Sequence, residues 1–154
     1  MMSTKRHVVE MFKKAVSSGN FNRVLSNVEI SDVSKGRVVA EFTVTPECTN
    51  VINMLHGGFS ATLFDHISTL ALRSHFITDN NPVPSSVSVD LSLSYISSVK
   101  EGQTVRIMTE TIKVGNKIAF LSGMLYNKSD SYKLVAVGKH TKYLLHPPSK
   151  SSSS

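Results

Sequence analysis

Only one stretch of this chain repeats apolar side chains at helical spacing over roughly twenty residues. Phe59, Leu63, Ile67 and Leu70 recur at intervals of three and four, and Ala61, Phe64, Ala71 and Leu72 fill further faces. A helix that is apolar around most of its circumference must be covered on several sides. It is predicted to run from about Gly57 to Phe76, roughly 30 Å. Pro46 ends the preceding segment, and Asp79-Asn80-Asn81-Pro82 with Pro84 breaks the helix.

Almost everything else that is apolar alternates. Val28, Ile30 and Val33, then a turn at Ser34-Lys35-Gly36, then Val38, Ala40, Phe42 and Val44 read as two antiparallel strands. Val87, Val89, Leu91, Leu93 and Tyr95 alternate with Ser86, Ser88, Asp90, Ser92 and Ser94. Val105 to Val114, Ile118 to Tyr126 and Leu134 to Leu145 supply further strands, with turns at Lys100–Gln103 and Gly115-Asn116. No helix separates the strands after Pro84, so a doubly wound parallel sheet is excluded. The economical solution is an α+β domain: a curved antiparallel sheet wrapped around one long central helix. A shorter amphipathic helix (Val8, Met11, Phe12, Ala15, Val16) precedes it, ending at Ser17-Ser18-Gly19. Residues 1–146 form this single domain, and 147–154 read as a disordered Ser-rich tail. The open sheet edges favour pairing with a second copy, giving a homodimer or a dimer of dimers.

Composition narrows the function classes. At 154 residues the chain supports one core, and no apolar run approaches the length of a membrane span, so membrane insertion is not expected. Cys48 is the only cysteine, which rules out an intrachain disulfide framework. The net charge of +6 suits a phosphorylated small ligand as well as it suits nucleic acid. The basic residues are scattered and Trp is absent, so a nucleic-acid partner is not supported. The chain is expected to be soluble, in the cytoplasm or the mitochondrion. Lys5, Arg6, Lys13 and Lys14 leave a presequence reading of the first helix open beside the folded one, although Glu10 speaks against it.

Chemistry concentrates at the central helix. Gly57 and Gly58 open it, where unpaired N–H groups and the positive helix end meet and where missing Cβ atoms admit a ligand. That is oxyanion-hole geometry, or else a glycine pair for tight packing. Asp65 is an acid in a core helix, expected to be enclosed and so paired, hydrogen-bonded to Thr62 or Thr69, or used in chemistry. It follows Gly57 by eight residues, roughly 12 Å, so the two can act on one atom only if a site is shared between two chains. Strand alternation alone places Ser88 on the face opposite Val87 to Leu93, and it would reach the site only through a bulge or a covering partner. No nucleophile elbow, phosphate loop, dinucleotide fingerprint or zinc spacing occurs, so neither metal nor cofactor is expected.

Asn50, Leu55-His56-Gly57-Gly58, Ala61-Thr62-Leu63, Asp65, Ile67-Ser68-Thr69, Val87-Ser88-Val89-Asp90 and Gly138-Lys139-His140-Thr141-Lys142 together resemble the hotdog-fold acyl-coenzyme A thioesterases. The resemblance spans nearly the whole chain. It implies hydrolysis of medium- or long-chain fatty acyl-CoA to the acid and free CoA. Gly57 would polarise the thioester carbonyl, His56 would support that loop, and Asp65 would activate or orient water. Asn50 would bond near the thioester and Ser88 would hold the water. Coenzyme A would touch Asp90, Tyr95, Lys100, Lys113, Asn116, Lys117 and Tyr143, although a member of the family carries a histidine where this chain has Tyr143. Lys100, Lys113, Lys117 and Lys142 would attract the nucleotide phosphates. Two rival readings are a hotdog enoyl-thioester hydratase or dehydratase, using a His and carboxylate pair, and a non-catalytic acyl-CoA or partner-binding module.

Overall fold

The computed structural model describes residues 3–78 and 82–145. The expected tail and the Asp79-Asn80-Asn81 break lie outside them. Two helices, α1 (Thr4–Ser17) and α2 (Gly57–Phe76), accompany six strands: β1 (Glu29–Ser34), β2 (Arg37–Thr43), β3 (Ser85–Tyr95), β4 (Thr104–Val114), β5 (Ile118–Asn127) and β6 (Lys133–Leu145). The strands form one antiparallel sheet in the order β1-β2-β4-β5-β6-β3. The single helix α2 packs against all six, so the sheet is curved around it in the expected hotdog arrangement. Register shifts in β1, β3, β4 and between β5 and β6 accommodate that curvature.

Helix and sheet approach closely at Phe64. Its ring is fully buried and lies over the cross-strand pair Gly123 and Gly138. A Cβ at Gly138 would stand 2.7 Å from Phe64 Cζ, and one at Gly123 would stand 2.7 Å from both Phe64 Cε2 and the Met108 carbonyl. The two glycines therefore form a trough that only a bare backbone can supply. Leu63, Ile67, Leu70 and Ala71 complete the core with Val38, Ala40, Val105, Ile107 and Leu125. On the far side α1 seals α2 with Val8 and Phe12.

One expectation needs correction. Val87, Val89, Leu91, Leu93 and Tyr95 do not share a face, because Ser88 pairs with Lys142 whereas Asp90 pairs with Thr141, leaving Val89 as a bulge. Before the bulge the even-numbered serines face the helix; after it Leu91, Leu93 and Tyr95 do. Pure period-two reading cannot see this, since one extra residue reverses every later side chain.

Gly138→Ala is expected to destabilise the fold by about 1–3 kcal/mol through overpacking against Phe64. In a urea-denaturation double-mutant cycle, Phe64→Leu should couple strongly with it. Additive effects would show that the trough is not what fixes the helix.

Candidate active site

The loop entering α2 is held by its own polar side chains. Asn50 Oδ1 accepts from the N–H groups of Ile52 (3.1 Å) and Met54 (3.2 Å), which folds the loop back and allows Asn53 its positive φ of 58°. His56 caps the helix: its Nδ1 accepts from the Gly58 N–H at 2.8 Å, and its own N–H donates to the Cys48 carbonyl. With Gly58 satisfied, the Gly57 N–H at the first helical position has no hydrogen-bond partner among the described residues. The Tyr95 hydroxyl donates to the Gly57 carbonyl at 2.8 Å and its ring covers the residue, so a Cβ at Gly57 would meet Tyr95 Cζ at 3.2 Å. A Cβ at Gly58 would meet the His56 ring at 3.0 Å. Both glycines thus make room for aromatic rings rather than for the sheet.

Two turns further along, Asp65 differs from expectation. It is not enclosed: its side chain is 48% exposed within the chain. Thr69 Oγ1 donates to its backbone carbonyl rather than to its carboxylate, and Thr62 Oγ1 donates to Gly58. The carboxylate instead faces His140, with Oδ1 3.6 Å from Nε2. The His140 ring is 1% exposed and bridges two serines, Ser68 Oγ at Nδ1 (2.7 Å) and Ser88 Oγ at Nε2 (2.8 Å). The bulge at Val89 is what turns Ser88 inward to meet it. Lys142 Nζ completes the cluster, donating to Thr69 Oγ1 at 2.9 Å and to Ser88 Oγ at 3.4 Å.

Burial, reinforced by the nearby Lys142 charge, lowers the His140 pKa to about 4, against a smaller opposing pull from Asp65. The ring is therefore neutral near pH 7 and carries one proton, so one serine donates to it and the other accepts. Burial also lowers the Lys142 pKa, with Asp65 opposing. At 4% exposure Lys142 is turned into the domain and cannot serve nucleotide phosphates from the surface.

The structure places Asp65, Ser88, His140, Ser68, Thr69 and Lys142 together, and Asn50, His56, Gly57 and Tyr95 together, in two separate groups of one chain. The remaining expected ligand contacts also divide. Lys113, Asn116, Lys117 and Tyr143 lie near the β4–β5 hairpin, where Tyr143 pairs with both Ile118 and Val87. Asp90 is exposed on the outer sheet face beside Thr141, and Lys100 lies with Met54 near the loop that enters α2. His140 and Lys142 were not assigned to this cluster by sequence. Their signal was present: Ala136, Gly138, His140, Lys142 and Leu144 alternate onto the buried face of β6, an unusual place for a histidine and a lysine. Among the described residues no cluster of His, Cys, Asp or Glu could hold a metal ion, and no helix is long and apolar enough to cross a membrane.

Comparison with known proteins places the chain among proteins of one family and fold. The model of the thioesterase superfamily matches residues 52–133. Acyl-coenzyme A thioesterase 13 of Homo sapiens is 39% identical over 144 residues, covering 94% of this chain and 99% of the relative. Among solved structures, zebra fish thioesterase superfamily member 2 superposes with a TM-score of 0.84 at 36% identity, covering 94% of this chain and all of that one (100%). The Mus musculus counterpart gives 0.81 at 36% identity, covering 93% and 98%.

The lowered pKa of His140 has a consequence for stability. An unfolded histidine takes up a proton below about pH 6.5, whereas the native ring resists until about pH 4. Stability is complete above the upper value and is lost as the pH falls between the two. The loss from this residue reaches about 3 kcal/mol. His66 and His75 are shifted in the same direction, chiefly by burial, so the informative quantity is a difference. Denaturation curves across pH 4 to 7 should fall less steeply for His140→Asn than for the parent. Parallel slopes would contradict a buried neutral ring.

Proposed function

The chain belongs to the thioesterase superfamily, and from that premise we propose that it hydrolyses medium- or long-chain fatty acyl-CoA thioesters to the free acid and coenzyme A. The reading rests above all on the exposed Asp65 carboxylate standing beside the inward-turned Ser88. Asp65 takes a proton from water as that water attacks the thioester carbonyl. Ser88, oriented by His140 and Lys142, holds the water. The carbonyl oxygen gains negative charge in the tetrahedral intermediate and is met by the unpartnered Gly57 N–H, while His56 and Asn50 keep that N–H in place. Collapse expels the coenzyme A thiolate, which is then protonated.

Gly57 and Asp65 are roughly 12 Å apart along one helix, so the complete site takes Gly57 from one subunit and Asp65 from its partner. A two-fold homodimer pairing through β3 supplies this. β3 is an edge strand with Val87 and Val89 exposed (48% and 60%), a surface suited to a second copy. Pairing would also bring hairpin residues of one subunit toward Tyr95 and Lys100 of the other, joining the divided contacts for coenzyme A. A dimer of dimers and a cytoplasmic or mitochondrial setting complete the proposal. The hydratase alternative needs a histidine that reaches substrate, but His56 is committed as a helix cap and His140 is enclosed.

Asp65→Asn is expected to lower kcat by about 10²–10⁴-fold while the protein stays folded and binds acyl-CoA. Thiol release followed with a colorimetric reagent measures this, and full activity would sink the assignment. Gly57→Pro removes the candidate N–H at the first helical position, where proline suits the backbone and the Tyr95 ring need give by only a few tenths of an ångström. It is expected to be inactive as well. Refolding the two variants together at equal amounts should recover about a quarter of parental activity if each site draws on both subunits. No recovery would place both groups in one chain.

A further inference from the structure

A groove of about 420 Å³ runs between α1 and α2, lined by Met11, Lys14, Ala15 and Ser18 on one side and His66, Thr69, Leu70 and Arg73 on the other. It begins beside the candidate site, because Thr69 both borders it and accepts the hydrogen bond from Lys142. Its upper wall is apolar. His66 packs at a tilt against Phe12 with ring centroids 5.6 Å apart, and burial lowers its pKa, keeping the ring neutral near pH 7. Met11, Ala15 and Leu70 continue that wall.

The groove is also lined by two cations, Arg73 from α2 and Lys14 from α1. Arg73 donates through Nε to Met11 Sδ at 3.2 Å, a weak acceptor, and neither Arg73 nor Lys14 has a carboxylate partner among the described residues. Arg73 is half-buried and Lys14 exposed, so both cations border the groove and stay open to an anion that enters it. Arg73 follows Asp65 by eight residues, so the guanidinium's residue is roughly 12 Å from the carboxylate's along α2, the reach of an extended chain of about ten carbons.

We propose that this groove receives the acyl chain of the substrate and that its two cations select chains ending in a carboxylate, so that medium-length ω-carboxyacyl thioesters are a preferred substrate class. The inference rests on the thioesterase reading and specifies it. The same geometry sets a lower length limit. A short ω-carboxyacyl group would leave its carboxylate near Asp65, where like charges repel, and would fall short of Arg73 and Lys14.

The test compares thiol release from the mono-CoA thioester of dodecanedioic acid, from dodecanoyl-CoA and from succinyl-CoA. The parental chain is expected to favour the dodecanedioyl thioester over dodecanoyl-CoA by about fivefold in kcat/KM, with succinyl-CoA the poorest. Arg73→Leu should abolish or reverse the preference, chiefly through KM, and Arg73→Lys should keep part of it. Hydrolysis of dodecanoyl-CoA with no preference for the dicarboxylate, or a preference untouched in Arg73→Leu, overturns the inference and leaves the thioesterase reading standing. If no thioester is cleaved, that reading fails instead, and calorimetric binding of dodecanedioate to the parent and to Arg73→Leu decides the groove separately. Equal binding, or none, overturns the inference there too.

Discussion

Helix α2 can lie where it does because Phe64 has a glycine trough to enter. A side chain at Gly123 or Gly138 would hold the helix off the sheet. Asp65 is the next residue along, and its distance from His140 depends on that depth. The same pairing that puts Gly138 beneath Phe64 places His140 two residues on, and Lys142 two beyond it, on the one face of β6 that looks at the helix. Packing and polar geometry are thus fixed by a single contact, and the cluster needs no separate scaffold.

Within that cluster the balance of charge is unusual. Burying an amine and an imidazole beside a carboxylate would normally invite ion pairing, yet the arrangement runs through hydroxyls. Lys142 meets Thr69 and Ser88, and His140 meets Ser68 and Ser88, so Asp65 keeps half its side-chain surface open. A carboxylate tied directly to a buried cation would be a weak base, because the opposite charge stabilises its ionised form. Neutral intermediaries leave its surface accessible, while the hydroxyl of Ser88 stays oriented by two fixed partners.

Much of this was legible in the residues. The apolar periodicity from Phe59 to Leu72 defines α2, and its span, Gly57–Phe76, is the one the helical spacing and flanking breaks predict. Period-two patterns found all six strands and excluded a parallel sheet. What could not be read was register. Leu91 and Leu93 share a face with Ser88 only because Val89 is extruded, and Ile112 plays the same part in β4. Nothing local marks either residue, since a bulge is a compromise among curvature, partner strand and helix. Asp65 was expected to be enclosed because its helical neighbours are apolar, but helical averaging cannot show that this one side chain is left half-exposed beside His140. Lys142 was assigned to the surface by residue type, whereas its strand parity placed it inside.

The separation of the two polar groups and the exposure of β3 share one physical remedy. A helix start with a free N–H and a carboxylate two turns later cannot converge within a straight helix, whatever the side-chain rotamers. An apolar edge strand, meanwhile, is a hazard unless something pairs with it. Both are resolved by the same two-fold operation in the proposed dimer, which extends the sheet through β3 and carries one chain's helix start toward the other's helix centre. Substitutions on the edge strand far from Asp65 would then act on turnover through assembly. A chain kept single would retain its fold, its Phe64 packing and its His140 network, and still lack a complete site.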